Sequence, residues 1–258
     1  MQSVEESVVL ALDGTDKELY DYLPYILQDL WEIGASPEAM VGLLKKHTTN
    51  QHNLKILDLG CGKGVVSIKI AKVLGTNCVG FDAMPAFIEE ARIQAAQHGV
   101  EANCHFEIAD IRTKITELKQ FDVIILGAIG PIFGTLYETL ITLSPVLAPQ
   151  GCFLIDDAYI EDDSDFEHPV YVKRTEILEQ IQRADMILAD EWKIHEKEIR
   201  ESDEYIFGNI LKRCHELIKK HPDKRVIFEN YIKKQEEENA ILETKVKCTT
   251  MLVKKTDR

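Results

Sequence analysis

Short apolar runs alternate along this chain with longer stretches in which apolar residues recur every three to four positions. The first pattern is that of buried strands and the second that of amphipathic helices. Strand-like runs end at Asp58, cover residues 77 to 81, 104 to 108, 121 to 127 and 152 to 156, lie near 191 to 198, and close the chain at 245 to 253. The run Phe121-Asp122-Val123-Ile124-Ile125-Leu126-Gly127 reads as a strand buried on both faces. Helical spacing predicts a helix over 17 to 31, with Pro24 starting or kinking a segment, and another from Pro37 with Ser36 as its N-cap. Further helices follow: one to Leu74 stopped by Gly75, one opened by Pro85 and closed by Gly99, and others over 133 to 147 and 172 to 183. Residues 201 to 241 are rich in Glu and Lys with apolar residues at helical spacing, broken by Pro222. Strand and helix alternation of this kind predicts an α/β fold built on a mostly parallel sheet.

Chemistry concentrates at one junction, Asp58-Leu59-Gly60-Cys61-Gly62-Lys63-Gly64, between the first strand and the helix after it. Glycines at alternate positions let the backbone enter left-handed conformations and let a ligand approach where a Cβ would block it. Asp58, at the strand's carboxyl end, is expected to aim its charge at the same crevice, where open α/β sheets bind ligands. A dinucleotide fingerprint would place its third glycine where Val65 stands. A second acid, Asp82, ends the second strand about 20 residues on and is placed to accept hydrogen bonds from both hydroxyls of a ribose.

The D-x-G-x-G-x-G pattern resembles motif I of the class I S-adenosylmethionine-dependent methyltransferases. Asp82, the Ala109-Asp110-Ile111 corner, Phe121-Asp122-Val123-Ile124 and the turn-strand Leu147-Ala148-Pro149-Gln150-Gly151-Cys152-Phe153-Leu154 extend the likeness over about residues 54 to 160. The resemblance implies a three-layer αβα Rossmann-like sandwich whose seven-stranded, mostly parallel sheet has an antiparallel last strand. It implies S-adenosyl-L-methionine as cofactor, held by Asp58, Gly60, Cys61, Gly62, Gly64, Asp82, Ala83, Met84, Asp110, Ile111 and Gly127. Within that set Asp110 would accept from the adenine amino group, Met84 and Ile111 would wall the ring, and the Gly127 carbonyl would face the methionyl amine. About 40 helical residues are expected between strands six and seven, a departure from the plain fold. The expected organisation is an N-terminal helical cap over 1–50, a cofactor-binding core over 51–200, a helical insertion over 201–243 and the last core strand over 244–258.

Bulk properties narrow the acceptor. The 258 residues carry a formal net charge of −14, which disfavours attraction to nucleic acid or to an anionic membrane surface. No run of about 18 apolar residues and no secretory leader is legible, so a cytoplasmic protein is expected, without a membrane. Six cysteines without C-x-x-C pairing read as small buried hydrophobes. Strand four is followed by Gly127-Ala128-Ile129-Gly130-Pro131 and not by N-P-P-[YF], which also argues against a nucleic-acid substrate. A small-molecule methyl acceptor is therefore expected, and a monomer or homodimer.

No catalytic motif is evident, since transfer from a sulfonium can proceed through binding and alignment alone. Asp156, Tyr159 and His168 border the carboxyl edge and are the candidates for a base or a hydrogen bond. The acidic loop with Asp156, Asp157 and Glu161 carries hard oxygen ligands, but clustered exposed acids are usually solvated and no metal is assigned; drawing in a cationic substrate is its other use. A different class of function stays open beside the enzyme: a non-catalytic S-adenosylmethionine or nucleoside binder using the inserted helices as an interaction surface.

Overall fold

The alternating runs become, in order, α1 (Val4–Ala11), a 3-10 turn (Lys17–Tyr22), α2 (Leu23–Ile26), α3 (Pro37–His47), β1 (Lys55–Leu59), α4 (Val65–Leu74), β2 (Asn77–Asp82), α5 (Pro85–Gln97), β3 (Cys104–Ile108), α6 (Ile111–Lys114) and β4 (Phe121–Gly127). There follow α7 (Leu136–Leu143), β5 (Leu147–Tyr159), α8 (Arg174–Arg183), β6 (Met186–Lys193), α9 (Glu196–Lys220), α10 (Arg225–Thr244) and β7 (Lys247–Lys255). This computed structural model describes residues 2–48 and 53–256.

The chain forms two compact units, one of residues 34–194 with 247–258, the other of 1–33 with 195–246. The first holds a seven-stranded sheet of order β3-β2-β1-β4-β5-β7-β6. β7 alone runs antiparallel to its neighbours, between β5 and β6, and the remaining pairings are parallel. Ile56, Leu57, Ile124, Ile125, Phe153 and Leu154 in the central strands are fully buried, as strands covered on both faces require. One apolar cluster joins Leu57, Ile124, Phe153 and Ile155 to Ile111, Leu140, Leu143, Ile177 and Ile181, placing α6, α7 and α8 on one face. α3 and α4 pack on each other, and α3 also meets β6 and β7, on the opposite face.

In the second unit α9 and α10 pack along each other, with α2 and the Lys17–Tyr22 turn against them. Asp29 is held there by Arg213 at 2.7 Å, and the Tyr25 hydroxyl donates to Glu216 at 2.5 Å. Among the described residues no helix is long and apolar enough to cross a membrane. Six free cysteines are found, all buried except the half-buried Cys248.

Several boundaries differ from the sequence reading. The helix expected over 17 to 31 breaks into a 3-10 turn and α2, with Pro24 in the first turn of α2. The helix expected over 133 to 147 shortens to Leu136–Leu143, started by a Thr135–Glu138 capping box and ended ahead of Pro145, which has no N–H to donate back into the helix. The strand expected near 191 to 198 instead covers Met186–Lys193, with an irregularity between Leu188 and Asp190. Asp190 and Glu191 sit inside the strand with partners for their carboxylates: Asp190 pairs with Lys46 at 2.8 Å and meets His47 Nε2 at 2.6 Å, and Glu191 pairs with Arg174 at 3.0 Å.

Candidate functional site

The three glycines do what their spacing demands. Gly60, Gly62 and Gly64 have φ of +70°, +53° and +76°, a region that L side chains rarely adopt. Their reasons differ. A Cβ on Gly60 would meet Ile129 Cγ2 at 2.6 Å, and one on Gly64 would meet Phe106 Cζ at 2.7 Å and Ala91 at 3.0 Å. A Cβ on Gly62 would meet nothing within 4 Å, so the turn leaves open space at its middle glycine.

Asp82 ties this turn to the next strand. Its Oδ2 accepts from the Gly62 N–H at 2.9 Å and its Oδ1 from the Met84 N–H at 2.8 Å, while the Gly60 and Cys61 N–H groups donate to the Phe81 carbonyl. Burial raises the Asp82 pKa, and these backbone N–H groups oppose the rise. Each carboxylate oxygen has a second lone pair available beyond the bonds just named. Asp82 and Ala83 are half-buried, whereas the Met84 and Ile111 side chains are 1% and 5% exposed and belong to the core.

Asp58 corrects an expectation. Its side chain does not project into the crevice; it is 3% exposed and accepts from Ser67 Oγ at 2.7 Å, pinning α4 beneath the turn. Burial pushes its pKa up to about 6. Cys61 is also buried, and burial, then the charges of Asp58 and Asp82, hold its thiol well above the ordinary value, so it is no nucleophile. Asp110 caps α6 and is engaged by Arg112, whose Nε and Nη2 lie 2.9 and 2.8 Å from its two oxygens; these bonds lower its pKa.

Two segments that the sequence reading missed close around the end of β4. Ala35 Cβ lies 3.2 Å from where a Cβ on Gly127 would stand, and Ala128 Cβ 3.3 Å from one on Gly34. Ser36 does not cap α3 with its side chain; its N–H donates to Asp156 Oδ2 at 2.6 Å, and Thr250 Oγ1 donates to Asp156 Oδ1. Burial pushes Asp156 up to about 7. Small residues at 34, 35 and 36, directly before a helix, were the available signal of close approach.

The three catalytic candidates do not form a cluster. Asp156 and Tyr159 stand three residues apart on β5 and so point to opposite faces. Tyr159 is 1% exposed, and its hydroxyl makes no hydrogen bond among the described residues. His168 stacks between Phe166 and Tyr171, its Nδ1 accepting from the Val170 and Tyr171 N–H groups at 3.3 Å. A neutral ring in that state carries its proton on Nε2 and offers no free nitrogen lone pair as a base. Among the described residues no group of three or more His, Cys, Asp or Glu could hold a metal ion.

The raised carboxyls fix a pH response. Asp58 and Asp156 titrate near 6 and 7 in the folded chain against 3.8 ordinarily. Between those values the folded chain binds protons that the unfolded chain has lost, so their contribution is complete below about pH 4 and is lost as pH rises through 6 and 7. The melting temperature is expected to be a few degrees higher at pH 5 than at pH 8, and Asp156→Asn to flatten that slope. Scanning calorimetry at both pH values checks this; an identical slope in the variant contradicts it.

A family model described as a methyltransferase domain matches residues 50–213, more than half the chain. The chain belongs to the methyltransferase-domain family. Among curated relatives, a ubiquinone biosynthesis O-methyltransferase of Rickettsia bellii is 27% identical over 115 residues, covering 43% of this chain and 45% of the relative. The chain thus matches less than half the length of that relative. The family fold recurs in a methyltransferase from Thiobacillus denitrificans solved with S-adenosyl-L-homocysteine, at a TM-score of 0.74 and 17% identity over 91% of this chain and 98% of that one. A cyclopropane synthase from Mycobacterium tuberculosis matches at a TM-score of 0.73 and 12% identity over 99% of both chains. The fold is thus shared with those solved structures over nearly the whole chain.

Proposed function

We propose that the protein is an S-adenosylmethionine-dependent methyltransferase acting on a small-molecule acceptor. The observation that carries the reading is the turn of three left-handed glycines tied by the Gly62 N–H to Asp82, with open space at Gly62. Bound S-adenosylmethionine supplies a methyl group on a sulfonium, already activated toward in-line displacement.

The chain's own residues bind, orient and exclude water. Asp82 would take the ribose hydroxyls on its remaining lone pairs, and the backbone of Gly60, Cys61, Gly62 and Gly64 would line the cofactor. Asp58 serves through Ser67 by holding the turn. Ala83, Met84 and Ile111 would border the adenine, the last two largely through backbone because their side chains are core. Asp110 would reach the adenine amino group only while sharing its carboxylate with Arg112. The Gly127 carbonyl would face the methionyl amine, with Ala35 and Ile129 enclosing that end. No general base is assigned: Asp156 is engaged by Ser36 and Thr250, and His168 Nδ1 by the backbone. Alignment and exclusion of water suffice for an acceptor that is itself nucleophilic.

A net charge of −14 supports a small acceptor over nucleic acid, and six free cysteines support a reducing, cytoplasmic setting. Calorimetric titration with S-adenosylhomocysteine, with NAD as control, tests the reading. Micromolar binding of the first alone is the expected result. Binding of NAD alone, or of neither, overturns it, and a cofactor bound without turnover on any acceptor returns the non-catalytic binder.

A further inference from the structure

One row of paired residues crosses the sheet at its carboxyl edge. Gly127 of β4 pairs with Asp156 of β5, and Asp156 pairs with Thr250 of β7. Residues paired across neighbouring strands send their side chains to the same face, so Asp156 and Thr250 stand side by side and Gly127 leaves a gap beside them. Residues 34–36 lie in that gap. A Cβ on Gly127 would come within 3.2 Å of Ala35 Cβ and 3.8 Å of Met40 Cε, so this short strap and the start of α3 cover the end of β4.

The strap has little apolar surface with which to hold itself there. Gly34-Ala35-Ser36 offers a single methyl group, that of Ala35. Gly34 has φ of +84°, and a Cβ on it would stand 3.3 Å from Ala128, a residue with a side chain whose own φ is +56°. Left-handed backbone at such a residue persists only where its surroundings fix it. A polar contact supplies the anchor. The Ser36 side chain makes no cap and its carbonyl accepts from the Met40 N–H, while its own N–H donates to Asp156 Oδ2 at 2.6 Å. The other oxygen of Asp156 accepts from the hydroxyl of Thr250, which is fully buried, so β7 orients the carboxylate and α3 receives it at its positive end.

We infer that Asp156 is a positioning residue of the cofactor site: by holding the Ser36 N–H it keeps residues 34–36 against the end of β4, as a wall around the methionyl end of S-adenosylmethionine. This rests on the methyltransferase reading, in which the Gly127 carbonyl faces that end, and it gives Asp156 a task other than that of a base. Asp82, which serves the nucleoside half, ends β2, two strands from β4 across β1 and therefore about 10 Å away. Loss of the anchor reaches one half of the cofactor and spares the other.

The test uses the full chain and two ligands that differ by the amino-acid half. S-adenosylhomocysteine carries it; methylthioadenosine does not. In calorimetric titrations Asp156→Ala is expected to bind S-adenosylhomocysteine about tenfold more weakly and methylthioadenosine within about twofold of wild type. Asp156→Asn, whose amide oxygen still accepts from the Ser36 N–H, is expected to restore most of the lost affinity. Hydrogen exchange of the Ser36 amide, followed by NMR without ligand, is expected to quicken in Asp156→Ala and to stay near wild type in Asp156→Asn. Equal loss of both ligands, undiminished S-adenosylhomocysteine affinity in Asp156→Ala, an Asn variant as weak as the Ala variant, or unchanged Ser36 exchange overturns the inference. A wild-type chain that binds neither ligand brings down the cofactor reading and the inference with it, whereas wild-type binding of both with an insensitive Asp156→Ala brings down the positioning role alone.

Discussion

Asp82→Ala is expected to weaken S-adenosylhomocysteine binding on the order of a hundredfold, about 3 kcal/mol, the range for losing hydrogen bonds to a charged partner. The carboxylate has two tasks. It accepts from the Gly62 and Met84 N–H groups at 2.9 and 2.8 Å, fixing the turn between β1 and α4 against the end of β2. Its remaining lone pairs are the proposed acceptors for the ribose hydroxyls. Asp82→Asn separates the tasks, since an amide oxygen still accepts from one backbone N–H while the charge is gone. It should bind more weakly than wild type and more tightly than Asp82→Ala, with a melting temperature nearer wild type. Calorimetry with parallel thermal melts reads both quantities. Wild-type affinity in Asp82→Ala would remove the acid at the end of β2 from the binding site.

Gly64→Val is expected to cost about 4 kcal/mol of stability, the sum of a left-handed penalty for a branched residue and overpacking. The backbone there has φ +76°, and the new Cβ would stand 2.7 Å from Phe106 Cζ and 3.0 Å from Ala91 Cβ, both buried in the packing of β3 and α5. Gly62→Ala is the contrasting change. Its φ of +53° carries a backbone penalty of about 1–2 kcal/mol, but its Cβ enters open space. That variant should fold and lose cofactor affinity, whereas Gly64→Val should be crippled in denaturant melts before binding is considered. Equal stability losses at the two positions would show that backbone conformation alone, and not crowding, distinguishes them.

The contrast between two glycines in one motif marks how far the sequence could be read. Alternate glycines after an apolar strand are a local signal: the turn needs positive φ at each, and only glycine adopts it at low cost. Which glycine faces a ligand and which faces the core is a tertiary matter, decided by Phe106 and Ala91 from other elements. Asp58 makes the same point. Its place at a strand end suggested a charge in the crevice, but alternation along β1 turns it inward to Ser67. Arg112 stands only two residues from Asp110, but its bidentate pair with that carboxylate needs the α6 turn to form.

Much of the architecture was legible because periodicity is local. Runs of period two and of about 3.6, glycine stops and a proline start specify elements without knowledge of neighbours. Strand-helix alternation then leaves few ways to build a sheet, and the inserted helices before the last strand were visible in composition. The sequence by itself determined the strand-turn-helix with its glycines, the acid at the end of β2 and the class of fold. Only the tertiary structure decided that β6 begins at Met186, that Ala35 and Ile129 close on Gly127 and Gly60, that Ser36 reports to Asp156, and that Tyr159 is left between two cations. Those contacts join residues 15 to 120 positions apart, whose meeting depends on strand register and face. A one-residue change in register turns a side chain from one face to the other, and no short-range pattern records that choice.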